Sequence, residues 1–448
     1  MLSKLHTKLG DFWWYSLMLF CACRAADLLN AFVGLWLVPK YVSPADLGAV
    51  MPLTSFASFI ALPISIFAMT FMKELTTLAT NGEYGRMKSL MRGVFIGAGV
   101  FLLLAIATTY LVLPHFLWRI RVVKGSIGVI IVSYAFLQAV TPIYSNALQA
   151  LKRFKTMSVL GIVGAPVRLL VMLVAMPFRA LAGYFVGQAA TPAFSIVASV
   201  WSLRKELSVP AEPYWSRPVF KKFSLLLLGI AAFCYSGNII GLVEQTVLRQ
   251  RLPDIDSAAY YMTTRFADIA SFLTITLLTV LFPFTASLAA KGKPTRPLVV
   301  KSSLAMLTTG GLLAIVFALF GKPLLAILPN GDQYAEFWWA IPWLIGIGSL
   351  GSVQTFHTNT EISAGRFAFM KWWLPVHIVG AAILLFVTGH LYFADYIPAS
   401  WSNFLATHNF TSLKAMLWWF TATTLVKTAF SLVDLLRQSP SRPAQQLQ

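Results

Sequence analysis

Six ionisable residues, Arg24, Asp27, Arg168, Glu244, Arg265 and Asp268, lie inside segments that are otherwise almost entirely apolar. A charge near the middle of a membrane-spanning helix costs roughly 2.5–3.5 kcal/mol even on insertion-based scales, so such residues usually face a protein interior or a watery path. Two chemistries fit the set. The planar fork of arginine offers paired donors to phosphate oxygens, which suits Arg24, Arg168 and Arg265 to an anionic ligand. A carboxylate in a membrane can change the balance between states by taking up H+ or Na+, and Asp27, Asp268 and Glu244 are the ion-coupling candidates.

Spacing sharpens these roles. Arg24 and Asp27 are three residues apart, as are Arg265 and Asp268, so each pair shares one helix face. Each can be an internal ion pair that lowers the cost of burial, or can present its guanidinium to a wet cavity. Arg168 has no acid within a helical turn. It either pairs with Asp27 or another acid across the bundle, or has a functional role. Glu244 is expected near the external end of its span, where a carboxylate reaches water, with ion coupling as the alternative. Lys427 is expected to snorkel toward the cytoplasmic side.

The elements that must position these residues are helical spans. The chain has 448 residues, 58% hydrophobic and 11% charged, with mean hydropathy +0.72, which describes a polytopic all-α membrane protein. Twelve spans are expected near 12–38, 46–70, 93–113, 127–148, 157–177, 181–203, 224–247, 259–282, 300–320, 338–358, 372–391 and 413–435. The net charge of +19 reflects topology, not nucleic-acid binding: with both termini cytoplasmic, 22 of the 35 Lys and Arg fall on cytoplasmic segments and nine on external loops. Arg24, Arg168, Arg265 and Lys427 are the basic residues within spans. The Pro-rich link 204–223 separates six spans (1–203) from six (224–436), and a polar tail, 437–448, is expected to be disordered.

The halves echo each other. Ser43-Pro44-Ala45-Asp46-Leu47-Gly48, a span and a basic loop compare with Pro253-Asp254-Ile255-Asp256-Ser257-Ala258, a span and a basic loop. Six spans per half would make these parallel repeats. Pro52, Pro63, Pro142, Pro166 and Pro192 fall within spans, as hinges or as static bends. Cys21, Cys23 and Cys234 are expected to be free thiols. An apolar run that resumes beyond Asp27 favours an uncleaved first span over a signal peptide.

Several stretches together resemble the multidrug/oligosaccharidyl-lipid/polysaccharide (MOP) exporter superfamily, and within it the polysaccharide, O-antigen-type flippases. They are Leu37-Val38-Pro39-Lys40-Tyr41-Val42 through Gly48, Ala147-Leu148-Gln149-Ala150-Leu151-Lys152-Arg153-Phe154-Lys155, and Ala259-Tyr260-Tyr261 through Arg265 followed by Leu281-Phe282-Pro283-Phe284. The resemblance implies a MATE-like fold of two six-helix bundles that face a central cavity and rock between inward-open and outward-open states. Its cargo would be an oligosaccharide on a polyprenyl diphosphate, in the cytoplasmic (inner) membrane of a bacterium. Arg24, Arg168 and Arg265 are then the candidate diphosphate ligands. Tyr260 and Tyr261 could offer aromatic faces to sugars, while most other aromatics anchor span ends. Lipid-linked oligosaccharide, membrane lipids and polysaccharide-assembly proteins are the expected partners, and nucleic acid is not.

Two other classes compete. A cation-coupled multidrug exporter of the same superfamily shares the span count, and a carboxylate-dominated cavity would favour it. A membrane glycosyltransferase, polymerase or ligase would need catalytic residues on a substantial external loop, and the longest here, about 390–411, carries only Asp395 as an acid. No phosphate-binding glycine loop, metal-ligand spacing or Ser/His/Asp arrangement is present, so no catalytic residue, metal site or cofactor is expected beyond a coupling H+ or Na+.

Overall fold

A computed structural model describes residues 26–122, 126–214, 216–269, 296–363, 369–387 and 412–437. Arg24, Cys21, Cys23 and the tail lie outside them. A long helix covers the described part of each expected span. These are α1 (26–41), α2 (Val50–Thr80), α3 (Tyr84–Arg119), α4 (Ser126–Ala150), α5 (Phe154–Ala175) and α6 (Ala180–Ser202), followed by α7 (Arg217–Arg251), α8 (254–269), α9 (Arg296–Ala326), α10 (Ala340–Ser363), α11 (Met370–Val387) and α12 (Leu413–Arg437). Among the described residues, 6 helical stretches are long and apolar enough to cross a membrane by length and composition. Helix satisfies every backbone polar group within its own segment, which is what a lipid environment demands. The same surroundings account for large apolar side chains at the surface, such as Leu103, Val197 and Leu319.

Two compact units result, one of residues 1–33 with 41–242, the other of 34–40 with 243–448. Their internal packing follows one scheme. In the first, α3 packs on α4, α4 on α6 and α5 on α6; in the second, α9 packs on α10, α10 on α12 and α11 on α12. These three pairings recur with the helix number advanced by six.

The echoed turns have separate local causes. Pro44 starts a helical turn, where its missing N–H costs nothing, and the Ser43 hydroxyl accepts from the Asp46 amide at 3.2 Å. Pro253 likewise precedes α8, and the Ser257 amide closes the first turn on the Pro253 carbonyl at 3.0 Å. Here Arg249, expected in an external loop, is instead only 1% exposed and donates from Nη1 to Asp254 Oδ1 at 2.6 Å, tying the end of α7 to the start of α8. Pro63, Pro142, Pro166 and Pro192 lie within continuous helices. The conspicuous irregularity is in α1, which passes through a π-helical stretch, Val33–Leu37.

The link after α6 is held to the first unit. Lys88 donates to the Val209 carbonyl at 2.9 Å, the Glu212 amide to the Gly85 carbonyl at 3.1 Å, and the Tyr214 hydroxyl to Glu74 Oε2 at 3.4 Å. Burial and the neighbouring Glu74 carboxylate push the Tyr214 phenol up to about 12. Arg153, from the basic loop before α5, turns inward to Glu206 and to the Ser202 carbonyl.

The α5–α6 hairpin is closely packed. A Cβ on Gly183 would lie 2.6 Å from the Ala175 backbone, and one on Gly187 2.1 Å from Met172 Cγ. The two glycines are one turn apart and open a groove that lets the backbones approach, the small-xxx-small device of membrane helices. Thr191, a turn further on, bonds the Gly164 carbonyl at 3.1 Å. Gly183→Ala is expected to cost about 1–3 kcal/mol, because the obstacle is backbone and cannot swing aside. Gly161→Ala, with nothing within 4 Å of the new methyl, should be neutral or stabilising by up to about 1 kcal/mol. Thermal unfolding of the two purified variants in one detergent checks the contrast.

Candidate functional site

Arg168 stands in the middle of α5, on the side that meets α6. Because α5 and α6 form a hairpin, residues at equal distances from the turn come side by side; Arg168 and Gln188 are each ten residues from Phe178. Arg168 Nη1 donates to Gln188 Oε1 at 3.3 Å, and Gln188 Nε2 donates to the Tyr184 hydroxyl at 2.8 Å. Tyr134 of α4 lies within electrostatic reach of both Arg168 and Tyr184, and packs against Phe185 at 6.2 Å. A guanidinium held in this way by a neutral amide keeps its formal charge and its fork geometry. Asp27 is half-buried on α1 in the same unit.

Arg265 and Asp268 form the expected pair on α8, with Nη1 3.0 Å from Oδ2. Each side chain is partly accessible, 28% and 37%. The guanidinium also lies over the Tyr261 ring, 5.0 Å from its centroid. Its aliphatic stem passes the π-helical stretch of α1 at Gly34, where a Cβ would come within 2.9 Å of Arg265 Cδ. Position 34 therefore has to lack a side chain for Arg265 to take this pose.

Tyr260 and Tyr261, considered above for sugar contacts, are buried in the second unit. The Tyr260 hydroxyl accepts from Gln245 Nε2 at 3.1 Å and its ring packs against Phe420. Tyr261 serves as the platform beneath Arg265. Glu244 is not at a wet helix end. α7 continues to Arg251, so Glu244 lies two turns inside, with Oε1 buried. It interacts electrostatically with Lys427 of α12. Lys427 thus turns toward an internal acid, and it also influences His377 of α11. His377 stacks on Trp373 at 4.2 Å, with Nδ1 2.8 Å from the Trp373 carbonyl.

These contacts connect into a run within the second unit. Lys427 interacts with Glu244, Glu244 and Asp268 both act on Tyr260, and Asp268 holds Arg265. Gln188 in the first unit, and Gly34 and His377 in the second, are residues that the sequence did not single out. A polar residue in the small-residue run Gly187-Gln188-Ala189-Ala190, equidistant with Arg168 from the turn, was the available signal for Gln188. Among the described residues no group of three His, Cys, Asp or Glu could hold a metal ion, and Cys234 is a free thiol.

No protein-family model and no curated protein matches the sequence. Solved structures do match over nearly the whole chain. An inward-facing multidrug resistance MATE family transporter of the MOP superfamily superposes with TM-score 0.61 at 13% identity, covering 92% of this chain and 94% of the other. The lipid II flippase MurJ, in an inward closed conformation, gives TM-score 0.60 at 11% identity, with 94% and 87% covered. The Vibrio cholerae MATE transporter VcmN, in its bent form, gives 0.58 at 14% identity, with 97% and 98% covered. The chain therefore has the all-helical fold shared by MATE transporters and MurJ.

Gly34→Ala tests the pose of Arg265. The new methyl meets a flexible side chain, so stability should fall little, but the stem of Arg265 must shift, which disturbs its contacts with Tyr261 and Asp268. If Arg265 binds an anion, titration with a diphosphate lipid should show at least about tenfold weaker binding, the equivalent of one charge-assisted hydrogen bond.

Proposed function

We propose that the chain is a secondary transporter of twelve spans, with both termini cytoplasmic, that flips a polyprenyl-diphosphate-linked oligosaccharide across the inner membrane of a bacterium. Alternating access would carry the cargo, and the product would supply surface polysaccharide such as O-antigen, capsule or exopolysaccharide. Arg168 is the observation that carries this reading. A guanidinium in mid-helix, bonded to Gln188, which is itself held by the Tyr184 hydroxyl, offers the planar donor fork that suits phosphate oxygens. Arg265, stacked on Tyr261 and partly accessible, is the second ligand, and Arg24 the third. The shared fold with a lipid II flippase is compatible with a lipid-linked cargo. Polysaccharide-assembly proteins would be its partners in the membrane.

The second reading is a cation-coupled multidrug exporter, favoured by the buried carboxylate of Glu244 and by the fold shared with MATE transporters. Alanine at Arg24, Arg168 and Arg265, one at a time and with expression verified, separates the two. Loss of a charged hydrogen bond worth roughly 1.5–3 kcal/mol weakens diphosphate binding by about 10- to 100-fold. Delivery of surface polysaccharide should fall accordingly in each variant. Full delivery in all three would overturn the proposal, and drug sensitivity that changes only in a Glu244→Gln variant would favour the exporter.

A further inference from the structure

The contact between Arg265 and Asp268 has a consequence for energy coupling, which rests on the diphosphate reading of Arg265. The neighbours of Arg265 include Asp268, 3.0 Å from Nη1, the face of Tyr261 at 5.0 Å from the guanidinium, and Gly34 beside its stem. The guanidinium donor that Asp268 takes, Nη1, cannot serve a new ligand and keep Asp268 as well. An anion that binds there either displaces the carboxylate or lies against it, and like charges at contact distance are unfavourable.

We infer that Asp268 takes up a proton when a diphosphate engages Arg265, so that anion binding and proton uptake form one linked event. Atoms and charge balance simply: one carboxylate oxygen accepts one proton, and the guanidinium exchanges one anionic partner for another without losing its own proton.

The surrounding groups single out Asp268. On its own helix are Arg265, Tyr260 and Tyr261. From α7, Glu244 acts on Tyr260; from α12, Lys427 acts on Glu244; from α11, His377 is within reach of Lys427; α1 contributes Gly34, which carries no charge. Glu244 therefore lies in the field of Lys427, which a ligand at Arg265 does not remove. Asp268 is the carboxylate whose counterion the ligand competes for. Linkage is reciprocal: a protonated Asp268 releases Arg265 for the anion, and a bound anion favours the protonated acid.

The test is calorimetric titration of the purified full chain with farnesyl diphosphate in two buffers of different ionisation heat, across a pH series. The wild type should take up about one proton more per ligand than Asp268→Asn, and its affinity should fall with rising pH by up to tenfold per unit beyond the trend of the variant. Arg265→Gln should lose the binding. Equal proton uptake in wild type and Asp268→Asn overturns the inference but leaves the diphosphate reading standing. No binding of farnesyl diphosphate to the wild type overturns that reading and the inference with it. Should Asp268→Asn fail to fold, infrared difference spectra of the wild type decide: a protonated-carboxyl band must appear on adding the ligand, and its absence overturns the inference.

Discussion

A guanidinium that cannot lose its proton, placed among apolar helices, must be held by something, and much of the local structure follows from how that is met. Arginine stays charged in proteins, so the surroundings have to adapt to it. Three solutions occur among the described residues. Arg249 is deeply buried and paired with Asp254, which fastens the corner between α7 and α8. Arg265 is shared between a carboxylate and an aromatic face. Arg168 rests on an amide that is itself held by a phenol. The first contributes to architecture; the other two hold a cation in a defined place on its helix.

These solutions depend on close helix packing, which in turn depends on residues with almost no side chain. Gly183 and Gly187 let α6 approach α5 closely enough for Gln188 to reach Arg168. Gly34, in a π-helical stretch of α1, makes room for the stem of Arg265. Without the glycines the polar contacts would lengthen beyond hydrogen-bonding distance, and the charges would have to find water or other partners.

The legibility of this arrangement in the sequence follows from what is local. The Arg265–Asp268 pair was visible because helical spacing alone puts residues three apart on one face. The helices were visible because lipid-facing segments must be apolar over their whole length. What depends on a partner helix was not. Arg249 looked like an external-loop cation because it follows an apolar segment, and only the turn back into α8 shows that Asp254 encloses it. Glu244 looked solvated because the hydropathy signal fades before the helix ends; α7 runs on to Arg251 and leaves the carboxylate opposite Lys427. Tyr260 and Tyr261 were considered for sugar contacts because aromatic faces pack against the apolar faces of sugars, yet Phe420 packs on the first and the Arg265 guanidinium lies over the second.

The glycine at position 34 has a bearing on descent as well as on packing. A side chain there and a long cationic one at position 265 compete for the same volume, although 231 positions separate them in the chain. Among descendants of a common ancestor the two sites should drift together: lineages that keep glycine would retain the arginine, and lineages that acquire a bulkier residue would shorten or remove its partner. A position with no chemistry of its own would then record, in its substitution history, which branches still carry a cation at that depth of the membrane.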